Sequence, residues 1–167
     1  KMKVHGAAMR TIWTEGERPQ EILVIDQRYL PHELRVVALK SVEDVYHAIK
    51  DMMVRGAPLI GVTAAYGLYL AALELVAEAR PRTWLLEIAT YLKSARPTAV
   101  NLAWAVDKIY GVAEAEPGDM SSRLLQACQV LAEEDVAQCR AIGENGLQLL
   151  RELSEARHGA VLNILTH

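Results

Sequence analysis

Phenylalanine is absent from the 167-residue sequence, and cysteine occurs only twice. Leu, Val, Ile, Met, Tyr and Trp must therefore fill the core. Cys128 and Cys139 stand eleven residues apart in a segment that reads as one helix, and a rise of ~1.5 Å per residue separates them by roughly 16 Å. They can share neither a disulfide nor a metal ion. Both fall on the apolar side of that helix, which leads us to expect two buried structural thiols.

A strong excess of one charge is lacking too. The formal net charge is -3 and the basic residues are spread along the chain, so there is no electrostatic footprint for a nucleic-acid backbone. That leaves room for a small anion. Residues 1–10 are polar and mixed, without the basic, apolar and small-residue order of a signal peptide, which points to the cytoplasm. The uncharged run at 57–73 approaches the ~17-residue lower limit for a membrane span. It carries Pro58, Gly61, Thr63 and Gly67 and runs into Glu74, so the expectation is a central helix buried on every side in a soluble domain, not a membrane segment. No internal repeat or low-complexity tract is present.

What the chain does have is 51% hydrophobic and 23% charged residues, the composition of a folded globular protein. Thr11-Ile12-Trp13 and Ile22-Leu23-Val24-Ile25 flank a turn-prone Glu15-Gly16-Glu17-Arg18-Pro19 and predict a hairpin. Val36-Val37-Ala38-Leu39 adds a further short strand. Ser41 followed by Asp44 predicts a capped helix start, with the apolar period kept by Val42, Val45, Ile49, Met52 and Met53 to Arg55-Gly56. A second helix opens with Pro58 in its first turn and runs to about Ala79. A third runs from Pro81 to near Ser94. Thr98 is the expected N-cap of a fourth, over 100–110 and ended by Gly111. A fifth covers about 122–154.

The final apolar run, Val161-Leu162-Asn163-Ile164-Leu165, has the character of a buried parallel strand. A helical domain with a small β-hairpin at 1–156, then the first strand of a Rossmann-like α/β domain at 157–167, is the expected organisation. The complete protein would be α/β, and the chain as given would stop at the end of that domain's first strand.

The most informative chemistry lies in Arg55-Gly56-Ala57-Pro58-Leu59-Ile60-Gly61. A guanidinium and a glycine turn stand directly before a helix N-terminus, which suits a phosphate. The same residues also suit a helix–helix corner whose arginine caps the preceding helix. A second arginine precedes a second helix start at Ser94-Ala95-Arg96-Pro97-Thr98, and two such devices favour a phosphorylated small molecule. His32, His47 and His158 have no cluster spacing, and Tyr66 and Tyr69 are expected in the core.

These two segments, with Ser-Ala-Arg-Pro-Thr-Ala-Val-Asn-Leu at 94–102, resemble the methylthioribose-1-phosphate isomerase family. Ile25-Asp26-Gln27-Arg28-Tyr29-Leu30-Pro31, Glu133-Glu134-Asp135, Ile142-Gly143-Glu144-Asn145-Gly146 and Leu165-Thr166-His167 support the resemblance. Related groups with the same fold are ribose-1,5-bisphosphate isomerases and the regulatory subunits of the initiation-factor-two exchange factor. Ala57-Pro58 and Asn101-Leu102 look more like the methylthioribose enzyme.

The resemblance implies an aldose–ketose isomerase of methionine salvage, acting on 5-methylthioribose 1-phosphate, with no metal or organic cofactor. It implies that Arg55, Gly56, Ala57 and Arg96 bind the phosphate. It also implies a homodimer formed through a C-terminal domain, with no nucleic-acid or membrane partner. The family's catalytic cysteine and aspartate are expected beyond His167, so the chain as given carries no catalytic residue and is expected to be inactive alone. Cys128, Cys139 and Asp135 do not take those roles. Asp135 shares a helical face with Leu131 and Cys139, a costly place for an unpartnered carboxylate. Orienting Arg55 or Arg96 and forming an ordinary salt bridge remain alternatives for it. A non-catalytic sugar-phosphate sensor remains the competing function.

Overall fold

The apolar segment after Arg55-Gly56 sets the architecture. The computed structural model describes residues 2–4, 6–79, 81–114 and 119–165. Helix α2 (Ala57–Ala77) is buried without interruption from Leu59 to Ala72. It is long and apolar enough to cross a membrane, yet 78% of its most apolar stretch is covered by the protein itself. Its neighbours are α1 (Val42–Lys50), α3 (Thr83–Ser94) and α4 (Val100–Glu114). No single stripe on α2 is more apolar than the rest, as a helix enclosed on all sides requires. Each fully buried Leu or Ile contributes about 1.5–3 kcal/mol.

Two glycines let the neighbours approach. A Cβ on Gly61 would lie 2.9 Å from the Asn101 carbonyl oxygen and 3.1 Å from the Ala105 Cβ, and one on Gly67 would lie 2.9 Å from a Val45 methyl. The first contact is with backbone and cannot move aside. Thr63 keeps its hydroxyl satisfied inside this apolar surround by donating to the Leu59 carbonyl at 2.7 Å.

Five strands precede the helices. β1 (Met2–Val4) and β2 (Ala7–Met9) form a separate antiparallel hairpin that the mixed composition of residues 1–10 does not announce. β3 (Ile12–Trp13), β4 (Ile22–Ile25) and β5 (Val36–Leu39) form an antiparallel meander in the order β3-β4-β5, as the alternation of short apolar runs and turn residues predicts. Ile12 faces Val24 and Ile22 faces Leu39. Tyr69 on α2 donates its hydroxyl to the Pro19 carbonyl at 2.8 Å and so ties the β3–β4 loop to the central helix.

The turn that leaves β4 is held by a buried carboxylate. Asp26 is 2% exposed. It accepts the Arg28 backbone N–H at 3.1 Å and two guanidinium bonds, from Nε at 2.9 Å and Nη2 at 2.7 Å. Those bonds hold its carboxyl below the usual carboxylate range against the opposing effect of burial. Asp26 N–H donates to Arg35 at 2.9 Å, and Gln27 N–H donates to Met53 at 2.9 Å.

Several boundaries differ from expectation. The predicted Ser41–Asp44 capping box is present in full, but α1 stops at Lys50, short of Arg55-Gly56. Met52 adopts a φ of 59°, and Val54 reaches the core through a turn in which its N–H donates to Ala48. Apolar period alone does not distinguish that turn from more helix. Gly111 does not end α4, which continues to Glu114 because Ala113 is buried; tertiary packing outweighs the roughly 1 kcal/mol cost of a helical glycine. Thr98 is not the N-cap of α4, since the residue before Val100 is Ala99, whose carbonyl accepts the Leu102 and Ala103 N–H groups.

Helix α5 (Met120–Ala156) passes from the first compact unit, residues 1–132, into the second, residues 133–167. Cys128 is buried as expected, and burial pushes its thiol pKa up. Cys139 is exposed, contrary to expectation: the apolar face of α5 continues past Leu131, but burial does not. In the second unit, residues 161–165 form no strand, and Val161, Ile164 and Leu165 are exposed. A strand exists only through pairing, and no described strand pairs with this run.

Two stability predictions follow from this packing. Gly61→Ala should lower unfolding free energy by roughly 1–3 kcal/mol, as forced overpacking does, and by more than Gly67→Ala, whose obstacles are mobile methyl groups. Urea titration of both variants checks the order. Because its folded pKa is depressed, Asp26 contributes stability at pH values above the ordinary carboxylate pKa, and that contribution is lost as pH falls through the folded value. The advantage of the native protein over Asp26→Asn should thus be greatest near neutrality and shrink below about pH 4. Thermal melts of both across pH read it directly; a constant gap would mean that the charge is not its source.

Candidate functional site

Where Gly61 meets Asn101, α2 and α4 cross close to their starts. Gly61 is the fifth residue of α2 and Asn101 the second of α4, so both N-termini lie within about one helical turn, some 6 Å, of the crossing. The tight packing that centres the core therefore also brings the Arg55 and Arg96 segments to one region of the first unit.

At α2 the N-cap is Gly56, with φ 94° and no side chain to satisfy the first-turn N–H groups. A residue other than glycine would be strained at that φ. Pro58 has no N–H, which leaves Ala57 and Leu59 as first-turn donors. Gly56, Ala57 and Pro58 are all exposed, whereas Leu59 is buried. Unpaired donors and the positive end of a 21-residue helix favour an anion here.

Arg55 is exposed and donates from Nε to the Met52 carbonyl at 3.3 Å. Nε fixes the corner after α1, and the two terminal nitrogens make no bond among the described residues. Arg96 is half-buried in the turn between α3 and α4, its carbonyl accepting the Ala99 N–H at 2.9 Å. Its guanidinium likewise has no partner among the described residues. Each arginine thus has N–H donors to offer ahead of a helix start, groups of the kind that suit a phosphate.

Asp135 lies in the second unit, half-buried, where its Oδ1 stands 3.9 Å from the Cys139 sulfur. His47 is exposed between Glu43 at 3.1 Å and Asp51 at 3.4 Å on its own helix, so it belongs to a solvated helix face. Tyr66 and Tyr69 are in the core, as expected. Thr166 and His167 lie outside the described residues. The Asp26–Arg28 pair was not singled out as a site by its residue types. Its signal is a lone acid placed immediately after an apolar strand, where an unpaired carboxylate would be costly.

The sequence model of the Initiation factor 2 subunit family matches residues 53–167, a span that contains both arginine segments. A methylthioribose-1-phosphate isomerase from Methylocella silvestris is 46% identical over 99% of this chain and 44% of its own length. Another, from Desulfatibacillum aliphaticivorans, is 41% identical over 99% of this chain and 46% of its own. The chain thus spans less than half the length of the curated relatives it matches.

Two solved structures share the fold. The 5-methylthioribose 1-phosphate isomerase from Pyrococcus horikoshii superposes with a TM-score of 0.66 at 38% identity, covering 76% of this chain and 36% of that one. The translation initiation factor eIF-2B subunit delta from A. fulgidus superposes with a TM-score of 0.71 at 34% identity, covering 85% and 42%. With its helix-rich first unit, its three-stranded antiparallel sheet and a family match over most of its length, the chain belongs to the Initiation factor 2 subunit family.

Proposed function

We propose that this chain supplies the phosphate-binding part of an isomerase that converts 5-methylthioribose 1-phosphate to 5-methylthioribulose 1-phosphate in methionine salvage. The observation that carries the reading is the pair of arginines, Arg55 and Arg96, each ahead of a helix start, with the two helices crossing at Gly61 and Asn101. The names of the matching relatives supply the substrate. Gly56 and Ala57 offer backbone to the same phosphate.

In this reading the catalytic cysteine and aspartate belong to a Rossmann-like domain that follows His167. The 157–167 segment begins that domain, and Val161–Leu165 becomes a strand where neighbouring strands are available to pair with it. The domain also forms the homodimer, in the cytoplasm. The product differs from the substrate in three places. The ring C–O bond at C1 breaks, the hydrogen on C2 moves to C1, and the C2 hydroxyl becomes a carbonyl as its proton passes to the former ring oxygen. Because C1 carries the phosphate ester, the ring cannot open as a free hemiacetal does. Fixing the phosphate therefore fixes C1 and C2 against the catalytic groups and offsets charge as the ring bond breaks.

A second reading is a non-catalytic regulatory subunit or sugar-phosphate sensor. The observation favouring it is the eIF-2B subunit delta superposition. A ribose-1,5-bisphosphate isomerase would use the same anion site on a different sugar. Turnover of each sugar phosphate by the protein expressed from its full reading frame separates the three.

In that protein Arg55→Ala and Arg96→Ala should each weaken substrate binding by roughly 1.5–3 kcal/mol, the value of a hydrogen bond to a charged group. Arg55→Lys should lower kcat as well as raise KM, because a point charge does not reproduce the planar two-bond clamp. Steady-state kinetics decide the point: a raised KM with kcat unchanged would mean that Arg55 binds the phosphate without orienting it.

A further inference from the structure

Among the described residues Asp26 is the only buried carboxylate, and the proposed chemistry makes no use of it. Its three bonds from Arg28 explain how it is tolerated there. They do not explain why a charge stands at that point, and the neighbouring hydrogen bonds suggest an answer.

The corner that carries Arg55 is secured residue by residue. The Met52 carbonyl accepts Arg55 Nε. The Val54 N–H donates to Ala48, and its side chain is fully buried. Between them Met53 is held from outside the helical pair, by the Gln27 N–H at 2.9 Å. Gln27 lies between Asp26 and Arg28, so the carboxylate that closes the 26–28 turn also sets the direction of that N–H. The same turn is fixed on its other side by the Asp26 N–H on the Arg35 carbonyl. Asp51, at the end of α1, adds a further attraction for Arg28. The β4 turn and the α1–α2 corner are thus braced together two residues before Arg55.

We propose that Asp26 is a positioning residue for the anion site: by locking the Arg28 turn it holds Met53, and through Met53 it aims the Arg55-Gly56-Ala57 corner at the phosphate. This rests on the reading of Arg55 as a phosphate ligand. Loss of the carboxylate charge should leave Arg55 in place chemically but poorly aimed, so affinity falls while the ligand-binding groups remain.

The test is a double-mutant cycle on the protein expressed from its full reading frame, with inorganic phosphate as the probe and affinity read by calorimetry or phosphorus NMR. Asp26→Asn should weaken phosphate binding roughly tenfold, as removal of an outer partner of a binding group commonly does. In an Arg55→Ala background the same change should add no more than about twofold, within ordinary additivity error. A full additional tenfold in that background would mean general loosening of the unit and would overturn the proposal, as would an Asp26→Asn protein that binds phosphate normally. If Arg55→Ala alone left phosphate affinity unchanged, the anion-site reading itself would fall, and the positioning role with it. Arg28→Lys, which keeps a cation beside Asp26 but loses the paired bonds, carries the same expectations and serves as the second arm if Asp26→Asn does not fold. Melting curves identify which variants are folded at the binding temperature.

Discussion

The contact between Gly61 and the Asn101 carbonyl is the constraint on which the rest of the first unit depends. A Cβ there would intrude to 2.9 Å of a backbone oxygen, so only glycine lets α4 lie this close to α2. That closeness, with α1 and α3 packed on the other faces, encloses α2 and sets the crossing near the starts of both α2 and α4. The close packing of α2 on α4 at this point is a consequence of one missing methyl group.

Electrostatics then follow from packing. Helix starts leave N–H groups unsatisfied, and here Gly56 offers no side chain to absorb them. Two other helix starts are closed by side chains: Ser41 and Asp44 close the start of α1 reciprocally, and Asp119 bonds to Ser122 at the start of α5. The uncapped start of α2 beside an arginine stands apart from both. The braced turn at Asp26 shows that the corner ahead of it is held from two directions.

Much of this was legible in the residues. A charge-free run containing proline in its first turn and glycine at intervals describes a buried central helix, and Ser41 with Asp44 marks a helix start by direct chemistry. The strands of the meander announced themselves by alternation around turn residues. The misreadings share a cause. Met52, Met53 and Val54 keep a helical period but reach the core through a turn, Gly111 is overridden by the burial of Ala113, and Cys139 continues an apolar face that nothing in its unit covers. In each, the outcome depends on partners distant in sequence. The run at 161–165 is the clearest example, since pairing is not a property that a strand carries within itself. At the site, the two arginine segments were legible as anion-binding devices; the crossing of α2 and α4 at Gly61 and Asn101 was not, because spacing along the chain does not report a helix crossing.

The exposure of Arg55 and the partial exposure of Arg96 have a bearing on how such a scaffold diversifies. Neither side chain contributes to the buried core around α2, so replacing either should cost the fold little, while the crossing that sets their spacing is locked in the interior. With Arg55 and Arg96 as the proposed phosphate ligands, ligand choice and foldability fall to different residues. A lineage built this way can exchange the groups that read a ligand, or abandon the ligand altogether, without first finding a new way to fold. Solved relatives named as a metabolic isomerase and as a translation factor subunit, both superposing on this chain, are what such a separation permits.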